Sequence, residues 1–294
     1  MRKKLFVLTW LIFIAFVFNT AAITRYVNLN NPTPSTPFTD WATAATSIQD
    51  AIDAAVDGDL VLVTNGVYNT GGRTVGSDAL TNRVVIDRQI TIQSVNGPEM
   101  TIIAGNKADG LILGSNAIRC VYMVSNSTLI GFSLTNGSTI GIHEGGMTVG
   151  ERCGGGVFCS SMNSNSSRVV NCFIGNNSAF QGAGVWSVTV EGSRLSKNIT
   201  VTEPGTGGQI GGAAMYSRLM NCLIVGNEAQ GGGGAYGCVV QNCTVVSNYA
   251  RPSSTFGGVG GGLSFCQVNN SIVYHNVGGY EELQASMELL LWIV

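Results

Sequence analysis

The chain has 294 residues, a formal net charge of −2 and 11% charged residues, and 40 of its residues are glycine. An ordinary soluble domain carries about 25% charged residues. With no basic run beyond the N-terminal segment, nothing recruits a phosphate backbone or an anionic lipid surface by charge, so nucleic acid is excluded as a partner. Few charges and many glycines suit stacked strands joined by tight turns.

Arg2, Lys3 and Lys4, the apolar run 5–18 and the small residues Thr20-Ala21-Ala22 read as a secretory signal over 1–22. The apolar run is 14 residues long, whereas a membrane span needs about 20. A mature chain without a membrane span, secreted or held at the cell surface, is therefore expected. Residues 23–46 read as a lead-in, Pro-rich at 32–37. Over 47–56, Ile48, Ala51, Ile52, Ala55 and Val56 fall at helical spacing, with Ser47 and Asp50 in capping-box positions, which predicts one short amphipathic helix. Residues 58–63 read as a strand, Asn65-Gly66 as a turn and Val67-Tyr68 as the next strand. Strand-like runs follow at 84–86, 90–92, 101–103, 111–113 and 120–124.

From Leu129 onward the sequence becomes self-similar. One column holds Gly131, Asn171, Gly192, Asn221, Asn242 and Asn270. Asn and Gly are the residues that most readily take positive φ, so their interchange marks a left-handed bend between two strands. Two residues before it stand Leu129, Val169, Val190, Leu219, Val240 and Val268, and three after it Leu134, Ile174, Leu195, Ile224, Val245 and Val273. The residue directly after it is Phe132, Cys172, Ser193, Cys222, Cys243 or Ser271. Apolar parity is even before the bend and odd after it, the phase slip that a corner demands of an alternating strand.

A second polar column lies six residues after the first, at Asn177, Asn198, Asn227, Asn248 and Asn276, with Asn136 one place early. Stacked Asn side chains hydrogen-bond along such a column and satisfy groups that a turn leaves unpaired. Both columns are expected to form a structural Asn ladder. Each coil returns through a Gly-rich segment, as at Gly154-Gly155-Gly156, Gly182-Ala183-Gly184 and Gly232-Gly233-Gly234. Successive bends lie 40, 21, 29, 21 and 28 residues apart. The extra length falls in 139–152, 199–210 and 249–259, all at one corner, so inserted loops are expected to stack on one edge.

All eight cysteines lie beyond the signal. Cys172, Cys222 and Cys243 share one column and Cys238 and Cys266 another. In-register parallel neighbours are about 4.8 Å apart, wider than the Cβ separation of about 3.8 Å in a disulfide. Buried thiols are expected there, while Cys120, Cys153 and Cys159 are left open.

These features predict an all-β chain, a right-handed parallel β-helix over 47–278 with a short N-terminal capping helix, alone or as part of a longer solenoid. Ser47-Ile48-Gln49-Asp50-Ala51-Ile52, Asp57-Gly58-Asp59 and Asn65-Gly66-Val67-Tyr68 resemble the capping helix and first coil of the pectin-lyase-like superfamily. Residues Thr91 through Gly105 resemble its second coil. Phe173-Ile174-Gly175-Asn176 and Gly154-Gly155-Gly156-Val157 are similar to repeats of polymorphic outer-membrane proteins and bacterial surface β-helices. The resemblance covers about 45–278 and implies a fold, not an activity.

The superfamily's polysaccharide lyases use calcium-binding acidic clusters with a basic residue, and its hydrolases use Asp pairs. Here every Asp lies at or before Asp109, and Glu144, Glu151, Glu191, Glu203 and Glu228 share no column. No catalytic residue, metal site or cofactor is assigned by register. Asp87 and Asp109 with Arg88 or Arg119 read as capping and loop residues, His143 as a loop residue and His275 as a turn residue. Phe158, Trp186, Tyr216, Tyr236 and Phe265 recur at the Gly-rich segments; they read first as core filling and second as a platform for sugar rings, since their offsets differ by one. Arg168 and Arg218 share an outward column. Trp186, Tyr216, Tyr236, Phe265, Arg168 and Arg218 are the candidate binding set. Residues 279–294 leave the repeat, as a cap or a truncated end. The sequence thus points to an exported, non-catalytic surface protein that binds a glycan or a cell-surface protein through loops on one edge. The alternatives are a polysaccharide lyase or glycoside hydrolase and a structural envelope protein.

Overall fold

The computed structural model describes residues 22–108, 113–141, 148–161, 166–201, 206–252 and 258–278. The expected signal, apart from Ala22, and the off-repeat tail lie outside these residues, as do Asp109, His143 and parts of all three inserted loops. Among the described residues no helix is long and apolar enough to cross a membrane.

One coil illustrates the whole. Thr189–Glu191 belongs to a first sheet of nine strands, Arg194–Ser196 to a third sheet of eight and Ile199–Thr200 to a fourth of four. Ala214–Met215, on the return, belongs to a second sheet of seven. Each strand pairs in parallel with the corresponding strand of the neighbouring coils; Val190, for example, sits between Val169 and Leu219. The result is a parallel β-helix.

Gly131, Asn171, Gly192, Asn221, Asn242 and Asn270 all have φ between 43 and 79. The bend between the first and third sheets is therefore built on left-handed residues. Leu129, Val169, Val190, Leu219 and Val240 before it and Leu134, Ile174, Leu195, Ile224 and Val245 after it are fully buried in one continuous core. Val268 and Val273, in the last described coil, are partly buried.

The structure separates the two Asn columns. The anchor Asn residues are exposed bends, and only Asn270 and Asn242 are hydrogen-bonded to each other, at 2.7 Å. The ladder is the other column. Nδ2 of Asn177, Asn198, Asn227 and Asn248 donates to Oδ1 of the next Asn at 2.9 to 3.0 Å, ending at Asn276. Each Oδ1 also accepts the backbone N–H of the preceding rung. In the coil before Asn177 the rung is Gly137, whose N–H donates to Asn177 Oδ1 at 2.8 Å. Asn136 instead occupies the left-handed residue one place before the rung, with φ 59, as do Asn176, Lys197, Gly226, Ser247 and His275. The side chains found there are too varied for this bend to be read from composition.

The Gly-rich segments are tight for a local reason. Gly182 has φ 55, and a Cβ on it would lie 2.9 Å from the Val185 carbonyl and 3.1 Å from Met215. On Gly184 a Cβ would meet the Ala213 carbonyl of the next coil at 2.3 Å and the ladder amide of Asn198 at 3.1 Å. Chain reversal and ladder can lie this close only without side chains.

Three expectations are corrected. The stack begins before residue 47: Thr24–Val27, in the lead-in, pairs in parallel with Leu60–Val63 as the first strand of the first sheet. The helix Ile48–Ala54, with Ser47 Oγ accepting the Asp50 N–H, packs on that strand pair and on Thr81–Ile86, covering the end of the core. Second, 160–167 lengthens a different corner, between the second and first sheets, so inserted length is not confined to one edge. Third, the inserted segment after 139 contains a helical turn, Val149–Arg152, with a complete Thr148–Glu151 capping box. Residues 111 and 112 of the expected 111–113 strand lie outside the described residues, and Leu113 is not in a strand.

All eight cysteines are free, and all but Cys266 are buried. Their sulfurs have a use that spacing alone does not disclose. Cys172 Sγ accepts the Phe132 N–H, Cys243 Sγ the Cys222 N–H and Cys266 Sγ the Cys238 N–H, each at 3.4 Å. Ser193 and Ser271 do the same with Oγ at 3.0 Å, which explains why Cys and Ser interchange in the column. Burial pushes the thiols of Cys120 and Cys153 up to about 12 and that of Cys172 up to about 11, so they stay protonated at neutral pH. Iodoacetamide at pH 8 is expected to modify at most Cys266 in the native protein and all eight cysteines in denaturant. Mass spectrometry reads the difference, and rapid native labelling at Cys120 or Cys172 would contradict the buried column.

Candidate functional site

The second sheet has an outward column in which Tyr122, Phe158, Trp186, Met215, Tyr236 and Ser264 stand in register. This resolves the ambiguous offsets. Tyr216 and Phe265 are not in that column but one residue later, on the corner where Ser187 and Gly237 stand in other coils. Their φ values are 51 and 53, and those of Ser187 and Gly237 are 55 and 61. The sequence contains no Asn at this bend to announce it.

Strand register and corner residues together form a row of six rings. Consecutive centroids are 5.8, 6.5, 5.3, 6.4 and 5.3 Å apart from Tyr122 through Phe158, Trp186, Tyr216 and Tyr236 to Phe265. Gly237 makes part of this possible, because a Cβ there would lie 2.8 Å from the Tyr216 ring.

The row changes character along its length. Phe158 and Trp186 are buried, packed with Met215 and with Cys153 and Ile210 from the ends of two inserted segments. The platform reading does not hold for Trp186, which fills a satellite core beneath the loops, although its Nε1 has no hydrogen-bond partner. Tyr236 is partly buried. Tyr216 is 40% exposed and Phe265 81% exposed. A large residue at positive φ is uncommon and costs about 1 kcal/mol or more, and such strain concentrates where a side chain is held for use. Here two aromatic residues take that conformation where serine and glycine serve the same bend in other coils.

The two candidate arginines divide. Arg168 and Arg218 lie in one outward column of the first sheet, with Thr189 between them. Arg168 forms a bidentate pair with Glu191, at 3.0 Å from Nε and 2.6 Å from Nη2, so its charge is already matched. The Arg168 hydrogen bond holds the Glu191 carboxyl below its ordinary range. Arg218, two residues after Tyr216, contacts Gln241 Oε1 at 3.3 Å and Met220 Sδ at 3.1 Å. Its guanidinium leans toward the Met220 end of the strand and, among the described residues, has no carboxylate pair.

Several other charged groups have structural partners. Asp87 is shared by Arg88 at 2.8 Å and Arg73 at 3.3 Å, and Arg73 also reaches Asp53 at 3.1 Å. Arg119 does not join them. It is buried over the Phe158 ring and donates to the carbonyls of Gly150, Cys153 and Gly154, fixing the end of the Val149–Arg152 helix. Burial pulls its guanidinium down to about 10. Glu151 accepts the Ala79 and Thr148 N–H groups, and Glu228 pairs with Arg251 at 3.2 Å. Among the described residues no three His, Cys, Asp or Glu side chains converge as a metal site.

No protein-family model and no curated protein matches this chain. The solved structures that resemble it include two lyases. Pectate lyase Pel9A is 15% identical with a TM-score of 0.53, over 88% of this chain and 64% of that one. A rhamnogalacturonan lyase is 14% identical with a TM-score of 0.47, over 87% of this chain and 69% of that one. The chain thus spans less than two thirds of the length of the pectate lyase. At such identity the likeness is one of fold, and it agrees with the all-parallel sheets: this is a right-handed parallel β-helix.

Proposed function

We propose that this chain is an exported, non-catalytic β-helix protein that binds a glycan along the corner between its second and first sheets. The observation that carries the reading is the pair Tyr216 and Phe265, exposed and held at left-handed φ on either side of Tyr236. Exposed rings spaced along one corner offer successive apolar contacts to a chain of sugar rings. Inserted segments ending at Cys153 and Ile210 wall the buried end of the row. Export is read from the basic and apolar N-terminal residues.

Tyr216→Gly and Phe265→Gly separate binding from folding, because glycine suits the left-handed corner better than the residue it replaces. Each variant is expected to keep the wild-type melting temperature. Retention in affinity electrophoresis through neutral and acidic polysaccharides is expected to fall about tenfold. Retention equal to wild type in both variants, or no retention of the wild type by any polysaccharide, would sink the proposal. In the same panel, uronate polymers incubated with and without calcium are expected to yield no product. Release of unsaturated or reducing ends would favour a lyase or hydrolase instead.

A further inference from the structure

Three early coils build a second polar site, at the corner that follows the third sheet and away from the ring-bearing corner. A cavity of about 400 Å3 is lined there by Arg83, Lys107 and the three asparagines Asn69, Asn106 and Asn136. This is within the size range of small-molecule sites, about 300 to 1,000 Å3.

The lining has two cations and no acid. Arg83 is 7% exposed, and a buried guanidinium is ordinarily matched by a carboxylate. Its Nε donates to the Ala104 carbonyl at 2.8 Å and its Nη1 to the Gly71 carbonyl, which ties two coils together. Among the described residues no ion pair reaches Arg83 or Lys107. Burial lowers the Arg83 pKa from its ordinary value, the direction expected of a desolvated cation lacking a counter-charge. The Asn69 and Asn136 amides make no hydrogen bond within the described protein, and Asn106 makes one, to the Lys107 carbonyl at 2.8 Å. Asn136 is the residue that falls one place early in the ladder column. Stapling two coils accounts for two donors of Arg83. Its remaining donors, with the exposed Lys107 and asparagine side chains around it, are left open to a ligand, and no carboxylate stands in the described lining.

We propose that this cavity binds a small hydroxylated molecule through one oxyanion group, a carboxylate, phosphate or sulfate. Arg83 and Lys107 take the charge, and the asparagine amides take the hydroxyls. Charge-assisted donors give the anion its affinity, and amides that both donate and accept suit a sugar-like ligand better than an apolar one.

Isothermal titration of the full chain with glucuronate, glucose 6-phosphate and glucose 6-sulfate, with glucose as the neutral control, tests this. At least one acid is expected to bind about tenfold or more tightly than glucose, and less tightly as salt is raised. The order among the three acids identifies the group. Lys107 is exposed, so Lys107→Glu is expected to weaken the preferred probe about tenfold at unchanged melting temperature, and Lys107→Arg to retain it. Arg83→Met adds the buried cation; should it fail to fold, the Lys107 pair decides. Absence of binding by all three acids, glucose binding as tightly as they do, or unchanged affinity in Lys107→Glu would overturn the proposal.

Discussion

Asn227→Ala is expected to destabilise the protein by about 3 to 5 kcal/mol, since each buried group left unsatisfied costs about 1 to 3 kcal/mol. Asn227 is fully buried in the middle of the ladder. Its Oδ1 accepts both the backbone N–H of Asn198, at 3.0 Å, and its Nδ2, at 2.9 Å. Its Nδ2 donates to the Leu195 carbonyl at 3.0 Å and to Asn248 Oδ1 at 2.9 Å. It also donates to the Val225 carbonyl at 3.3 Å, so alanine removes all five bonds, in a position where Leu195, Ile224 and Val245 belong to the continuous core. Asn276→Ala, at the end of the column, is expected to cost about 1 to 2 kcal/mol, because water can reach the groups it leaves. Denaturant titration of the two variants measures the gradient. Equal losses at Asn227 and Asn276 would mean that the column does not act as a buried ladder.

Asp59→Ala is expected to cost about 3 to 5 kcal/mol at neutral pH, the range for removing one partner of a buried ion pair. Asp59 and Arg25 are 3.1 Å apart, with side chains 0% and 6% exposed. Asp59 also accepts the Ile23 N–H at 2.8 Å and the Val56 N–H at 3.0 Å, fastening the first strand to the turn after the helix. Burial tends to raise its pKa, but the Val56 and Ile23 N–H groups and the Arg25 guanidinium outweigh it and hold the carboxyl below its ordinary 3.8. A depressed folded-state pKa stabilises the protein above the unfolded value, and that stability is lost as pH falls through the folded value. The wild type is therefore expected to lose stability below about pH 4, more steeply than Asp59→Ala. Arg25→Met combined with Asp59→Leu is expected to cost less than Asp59→Ala, since no charge is left buried alone. Denaturation midpoints at pH 7 and pH 3 decide it. Parallel acid limbs in wild type and Asp59→Ala would show that the pair carries no linkage.

The sequence by itself determined the coil and its main corner. Positive φ is a property of single residues, so Asn171, Gly192, Asn221 and Asn242 report the bend without knowledge of their neighbours. The ladder column was legible as a repeat of Asn, but not its difference from the anchor column, because only burial makes the amides of Asn177 to Asn248 bond along the stack while the anchor asparagines face outward. Only the tertiary structure decided the candidate sites. Tyr216 and Phe265 differ from Trp186 and Tyr236 by one position, and one position across a corner separates a strand residue from an exposed bend. Arg168 and Arg218 are identical in pattern, yet only Arg168 is matched, because Glu191 lies diagonally across in the next coil. The oxyanion cavity joins Asn69, Lys107 and Asn136 from three coils of unequal length, and no fixed period relates them. Columns are set by local backbone preference repeated along the chain, whereas exposure and charge matching depend on contacts between coils that are distant in sequence.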